Sequence, residues 1–118
     1  MSKDWKNLIA DLSTPLRDLR EGTPEVMKGF SAIAQAALKA NALDTKTKEL
    51  IALAIGVATR CDDCIAFHSK AAALQGATRE EILETLGMAV YMGAGPSVMY
   101  AAHALDAYGQ LAPAKKEA

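Results

Sequence analysis

Aromatic side chains are scarce, with one Trp, three Tyr and two Phe among 118 residues. That leaves little for stacking on nucleic-acid bases. Positive charge is not in excess either. Thirteen Lys and Arg stand against 14 Asp and Glu, a formal net charge of −1, and binding a phosphate backbone needs a basic face. Nucleic acid is therefore excluded as the main partner. No apolar run opens the chain, because Met1-Ser2-Lys3-Asp4 leads straight into mixed charge, so no secretory signal is expected. The longest uncharged stretch, Thr85 to Leu105, is long enough for a membrane span but is interrupted by Gly93, Gly95, Pro96 and Ser97. It reads as two buried helices meeting at a tight turn, with no membrane partner. Strand-like alternation, internal repeats and low-complexity segments are all missing. A cytoplasmic location is expected. There, two cysteines three residues apart are more often redox-active or metal-binding than a structural disulfide.

What is present favours helix. Alanine, the best helix former, occurs 24 times. Hydrophobic residues reach 51%, which argues against disorder. The length suits one domain, 1–118. A domain this small has limited interior, so some apolar surface is expected between subunits.

Helix punctuation predicts about six helices. The first covers about Lys3 to Leu19, with a possible break before Pro15 and a stop at Gly22. Thr23-Pro24-Glu25 reads as an N-cap, an N1 proline and a first-turn acid, opening a second helix to about Ala40. Asp44 caps a third, reaching about Arg60. A fourth runs from about Cys61 to Gln75 and stops at Gly76. Thr78-Arg79-Glu80-Glu81 is a capping box for a fifth, ending near Gly93. Pro96 opens a sixth, ending near Tyr108-Gly109. The tail from Pro113 to Ala118 is expected to be solvated. Leu50, Ile51, Leu53, Ala54, Ile55, Val57 and Ala58 leave the third helix almost no polar face, so it is expected to be central and buried all round. Met88, Met92 and Met99 read as core fillers.

The chemistry concentrates in Arg60-Cys61-Asp62-Asp63-Cys64-Ile65-Ala66-Phe67-His68. Cys61, Cys64 and His68 follow i, i+3 and i+4 spacings, so they share one stripe of the fourth helix. The chain enters that helix near Cys61, where free N–H groups and the helix dipole favour a thiolate. His68 can accept a thiol proton or stabilise the anion. A dithiol beside a base is what forming and breaking a disulfide requires. Asp62 and Asp63 oppose this, since negative charge disfavours a neighbouring thiolate.

Glu49 begins a stripe through Ala52, Leu53 and Gly56. The small residues admit a close helix, and a carboxylate facing that contact is suited to proton transfer. Otherwise Glu49 is a solvated acid. The cysteines have bland alternatives too. They could be inert and buried, or Cys61, Cys64 and His68 could hold zinc with His103 or Asp63 as a fourth ligand. His103, among alanines, reads as a packed residue. Arg60 could pair with Asp63 or Glu49, or cap the third helix.

The pattern Glu49, eleven residues, Cys61-Asp62-Asp63-Cys64, three residues, His68 resembles the alkylhydroperoxidase D and carboxymuconolactone decarboxylase family. Gly76-Ala77-Thr78-Arg79-Glu80-Glu81-Ile82 and Met92-Gly93-Ala94-Gly95-Pro96 add to the resemblance, which covers about Pro24 to Tyr108. It implies an all-α bundle of that type with the CxxC at a helix N-terminus, and a homo-oligomer, commonly a trimer or hexamer. It implies that Cys61 and Cys64 cycle between dithiol and disulfide as a hydroperoxide is reduced, with no other cofactor and no metal. Glu49 and His68 would form a proton relay. Electrons would come from a dithiol donor such as a lipoyl domain or a thioredoxin-like protein. The decarboxylase branch typically lacks the cysteine pair, so the peroxidase branch is favoured. A lactone-acid decarboxylase using Glu49 and His68, or a zinc-binding or redox-sensing helical module, are the alternatives. One departure stands out, because the best-known peroxidase of the family has His where this chain has Asp63.

Overall fold

The computed structural model describes residues 3–113. Those residues form five helices and no strand: α1 (Trp5–Gly22), α2 (Pro24–Leu38), α3 (Thr45–Ala58), α4 (Asp62–Leu74) and α5 (Arg79–Leu111). The expected six become five because the fifth and sixth join. α5 is continuous across a kink at Ala94, whose φ of 58° and ψ of −149° are not helical. The tight turn expected at Gly93-Ala94-Gly95-Pro96 is there, as a sharp bend between two helical segments. Pro96 removes one N–H from the ladder there. Ser97 fits because Gly93 has no side chain, since a Cβ at Gly93 would lie 1.9 Å from Ser97 Oγ.

The caps explain most boundaries. Asp44 accepts from the Thr47 N–H at 2.7 Å and starts α3. Thr78 and Glu81 complete the capping box of α5. Thr23 is the N-cap residue of α2, but its hydroxyl donates back to Leu19 O of α1 instead of capping forward. Pro15 lies inside α1 without breaking it. Gly76 stops α4 with φ at +87°, a conformation that costs glycine little. The tail beyond Pro113 lies outside the described residues.

α3, α4 and α5 pack on one another, and the core runs between them. Leu53 and Val57 from α3, Ile65, Ala66 and Ala72 from α4, and Ile82 and Ala104 from α5 are fully buried. Many of these are alanines, which let helix axes approach closely. α3 is central but not buried all round, because Ile51 and Ile55 are 45% and 57% exposed. The third helix is apolar on a face that the rest of this chain does not cover. The methionines correct a second expectation. Met88, Met92 and Met99 are all exposed and fill no core.

α2 buries no residue, and Val26, Phe30 and Ile33 on it are exposed. α1 buries one, Trp5. Trp5 anchors the start of the chain to the end of α5. Its backbone N–H donates to Gln110 Oε1 at 2.9 Å and its indole N–H to Asp106 Oδ2 at 3.1 Å. Gln110 Nε2 in turn donates to the Lys3 carbonyl at 2.7 Å. His103 packs edge-on between the rings of Trp5 and Tyr100, as a packed residue and not beside the cysteines as a ligand.

Candidate active site

The site is built at the junction of α3 and α4. α3 ends in a Schellman motif. The Arg60 N–H bonds Val57 O at 3.1 Å and the Cys61 N–H bonds Gly56 O at 3.0 Å, with Arg60 in the left-handed conformation at φ 59°. Arg60 thus closes the helix through its backbone. Its guanidinium is exposed and makes no ion pair among the described residues. The motif delivers Cys61 directly to the N-cap of α4, where its Sγ accepts from the Cys64 N–H at 3.2 Å. A sulfur at that place meets the unpaired N–H groups and positive end of the helix, which favour an anion.

Cys61 and Cys64 are joined as a disulfide, with Cα atoms 5.2 Å apart. Both residues are partly exposed. Four residues on, His68 lies on the stripe of Cys64. His68 Nδ1 is 2.7 Å from Glu49 Oε2, and Glu49 is 4% exposed. Glu49 is therefore not a solvated surface acid. Its burial is satisfied by the imidazole. In the tautomer where Nδ1 donates to the Glu49 carboxylate, Nε2 of a neutral imidazole is left as the acceptor that a general base needs.

Gly56 holds this geometry together. It is buried two turns beyond Glu49 on the same face of α3, and a Cβ there would lie 3.1 Å from Cys64 Cβ. Glu49 opposite His68 and Gly56 opposite Cys64 register α3 against α4 as an antiparallel pair. Of the sequence stripe Glu49, Ala52, Leu53 and Gly56, it is Gly56 that makes the expected close approach.

The two acids of the motif part company. Asp63 is exposed. Asp62 is partly buried and pairs with the Lys3 ammonium, 59 residues away in sequence. Nothing in the spacing of the motif pointed to Lys3, and the only early signal was the charge of Asp62 itself. No three His, Cys, Asp or Glu side chains are gathered as metal ligands among the described residues, so the zinc set proposed from spacing is not assembled in this disulfide-bonded conformation.

The model of the carboxymuconolactone decarboxylase family matches residues 24–107. The chain belongs to that family. A member from Legionella pneumophila has a crystal structure that superposes with a TM-score of 0.91 at 54% identity, covering 95% of this chain and all of that one. A second family member, from Thermotoga maritima, for which a part in an antioxidative response has been suggested, superposes with a TM-score of 0.73 at 32% identity over 83% of this chain and 86% of that one. An uncharacterised protein of Cupriavidus necator is 36% identical over 111 residues, 94% of this chain and 98% of its own length. The match agrees with the span that the sequence motifs marked. No helix among the described residues is long and apolar enough to cross a membrane.

Proposed function

We propose that this family member is a thiol-dependent peroxidase that reduces hydroperoxides through the Cys61–Cys64 pair. One observation carries the reading: a redox-capable cysteine pair at the N-terminus of α4 shares a helix face with His68, which is bound to the buried Glu49. The antioxidative description of the Thermotoga relative supports it.

The reaction balances as follows. His68, oriented by Glu49, takes the proton of the Cys64 thiol. The thiolate attacks the distal peroxide oxygen, the O–O bond breaks, and the alkoxide leaves as alcohol once protonated. Cys64 is then a sulfenic acid. Cys61 attacks its sulfur, water leaves, and the disulfide forms. A dithiol donor such as a lipoyl domain or a thioredoxin-like protein reduces it by two exchange steps. No further cofactor takes part. The N-cap place of Cys61 makes it the better anion, and so the better leaving group, released first as the donor thiolate attacks Cys64.

The working unit we propose is a homo-oligomer, a trimer or hexamer, in the cytoplasm. The exposed stripe Val26, Phe30 and Ile33 on α2, at i, i+4 and i+7, supports a neighbouring subunit.

Intact mass and thiol counting before and after one equivalent of hydroperoxide test the reading. The expected result is a loss of about 2 Da with both thiols consumed, reversed by a dithiol. Two thiols still free would overturn it and turn attention to the decarboxylase-like alternative, in which Glu49 and His68 act on a lactone acid. Stoichiometric metal in the isolated protein would instead favour a zinc-binding or sensing module.

A further inference from the structure

The proposed mechanism leaves Asp62 unexplained. It directly follows Cys61 and opens α4. Its Oδ1 is buried with no hydrogen-bond partner among the described residues. A partly desolvated carboxylate one residue from the N-cap sulfur opposes ionisation of that sulfur. Its other oxygen meets the Lys3 ammonium. Lys3 is not a loose surface lysine. Its carbonyl is held by Gln110, its side chain lies over the Trp5 ring at 5.8 Å from the centroid, and Trp5 is fully buried. The start of the chain is thus strapped to α5 so that one cation reaches the mouth of the CxxC.

We propose that Lys3 is a positioning residue for the cysteine pair: strapped down through Gln110 and Trp5, its ammonium offsets the Asp62 carboxylate, and the reduced pair keeps a reactive thiolate. The proposal rests on the dithiol reading of Cys61 and Cys64, but not on a peroxide being the substrate. Lys3 acts through Asp62 and touches neither substrate nor the reacting sulfurs. The other charged groups of this region are Arg60 in the preceding turn, the exposed Asp63, Glu49 with His68, and Asp106 beneath Trp5. Each is left in place by changes at positions 3 and 62. Both side chains of the pair are partly exposed, so solvent screening keeps the effect modest, about 3-fold in thiolate fraction.

The test is alkylation of the fully reduced protein by iodoacetamide, followed by mass, at pH 7 and on the high-pH plateau where the thiols are ionised in every variant. Lys3→Met is expected to alkylate about 3-fold more slowly than wild type at pH 7 and equally fast on the plateau. Lys3→Arg, which keeps the charge, should restore the wild-type rate. Asp62→Asn should alkylate faster than wild type at pH 7, and Lys3→Met should then slow it less. Raising the salt should shrink these differences. A wild-type rate for Lys3→Met at pH 7 overturns the proposal. So does slowing that persists on the plateau, which would mean a disturbed site and not a lost charge. Asp62→Asn decides the matter even if Lys3→Met frees the amino-terminal strap, which fluorescence of the single tryptophan, Trp5, reports. No gain of rate in Asp62→Asn overturns it. Because no peroxide enters this experiment, a protein that fails to turn over peroxide yet shows the charge pattern would sink the peroxidase reading alone.

Discussion

Glu49 and His68 meet at 2.7 Å across α3 and α4, and the carboxylate is the buried partner of the two. In the proposed mechanism this asymmetry suits a division of roles. A buried acid fixes the ring and stabilises the imidazolium when it forms, and the part-exposed imidazole handles the proton. Glu49→Gln keeps the shape of the contact and removes the charge. Peroxide-dependent turnover should fall about 100-fold, within the usual range for losing acid–base assistance. His68→Ala should cost at least as much in turnover. It also leaves a buried carboxylate without its partner, at about 1–3 kcal/mol of stability. Steady-state kinetics alongside urea unfolding separate the two effects. Turnover unchanged in Glu49→Gln would remove the relay from the mechanism.

The close contact between Gly56 and Cys64 makes a second prediction. Alanine in the middle of a helix normally gains about 1 kcal/mol over glycine. Here the new methyl would sit 3.1 Å from Cys64 Cβ, an atom fixed to the first turn of α4 that cannot swing away. Overpacking of this kind costs about 1–3 kcal/mol. Gly56→Ala should therefore lower stability by about 1 kcal/mol net, and it should loosen the Glu49–His68 register as α4 is pushed off α3. Denaturant unfolding checks the first effect, and the turnover of the variant checks the second. A more stable Gly56→Ala protein would show that α4 yields without cost.

The sequence made this junction legible for local reasons. Caps, glycine stops and the i, i+3, i+4 spacing of Cys61, Cys64 and His68 act over a few residues, so α3, α4 and the stripe carrying Glu49 could be placed without a structure. The family pattern spans the same segment and adds the pairing of Glu49 with His68. The misreadings have other causes. The count of six differs only because the break that Gly93 to Pro96 announces is so short: Ala94 alone leaves the helical conformation, and the two segments run on as one kinked element. The third helix reads as buried all round and the methionines as core, yet Ile51, Ile55, Met88, Met92 and Met99 are exposed, because an apolar pattern does not say which molecule covers a residue. Lys3 was invisible because its partner is set by the docking of Trp5 on α5, a contact between the two ends of the chain.

Arg60 gives a third prediction. It holds φ at 59° in the place where a Schellman motif prefers glycine. For a residue with a Cβ that conformation costs about 1–2 kcal/mol, and glycine gives back part of the gain as unfolded-state entropy. Its guanidinium makes no ion pair among the described residues that would be lost. Arg60→Gly should therefore stabilise the protein by about 0.5–1 kcal/mol, read as a higher urea midpoint at unchanged m-value. A loss of stability would mean that the arginine side chain holds the α3–α4 turn through contacts other than ion pairs.

The last prediction concerns pH and lies away from the cysteines. Lys46 Nζ is 2.8 Å from Glu81 Oε2 and ties the start of α3 to the capping box of α5. Hydrogen bonding to Lys46, then to the Thr78 N–H, holds the Glu81 carboxyl below its ordinary value of 4.5. The same bond holds Lys46 above its ordinary 10.5. A carboxyl lowered in the folded state binds its proton more readily in the unfolded chain. The stability it contributes is complete above 4.5 and is lost as pH falls through the lowered value. For Lys46 the sign reverses, with the contribution complete below 10.5 and lost as pH rises through the raised value. Glu81→Gln keeps a side chain able to cap Thr78 but removes the ion pair. The melting temperature of the variant should lie below wild type by a constant margin from pH 6 to 9. That margin should narrow below about pH 4.5 and above about pH 10.5, because there the wild-type pair is itself being neutralised. Asp44 is lowered by its bonds to Thr47 and loses its cap in acid as well, but it does so equally in both proteins and cancels from the difference. A margin that persists unchanged at pH 3 would assign the stabilisation to packing of the Glu81 side chain and not to its charge.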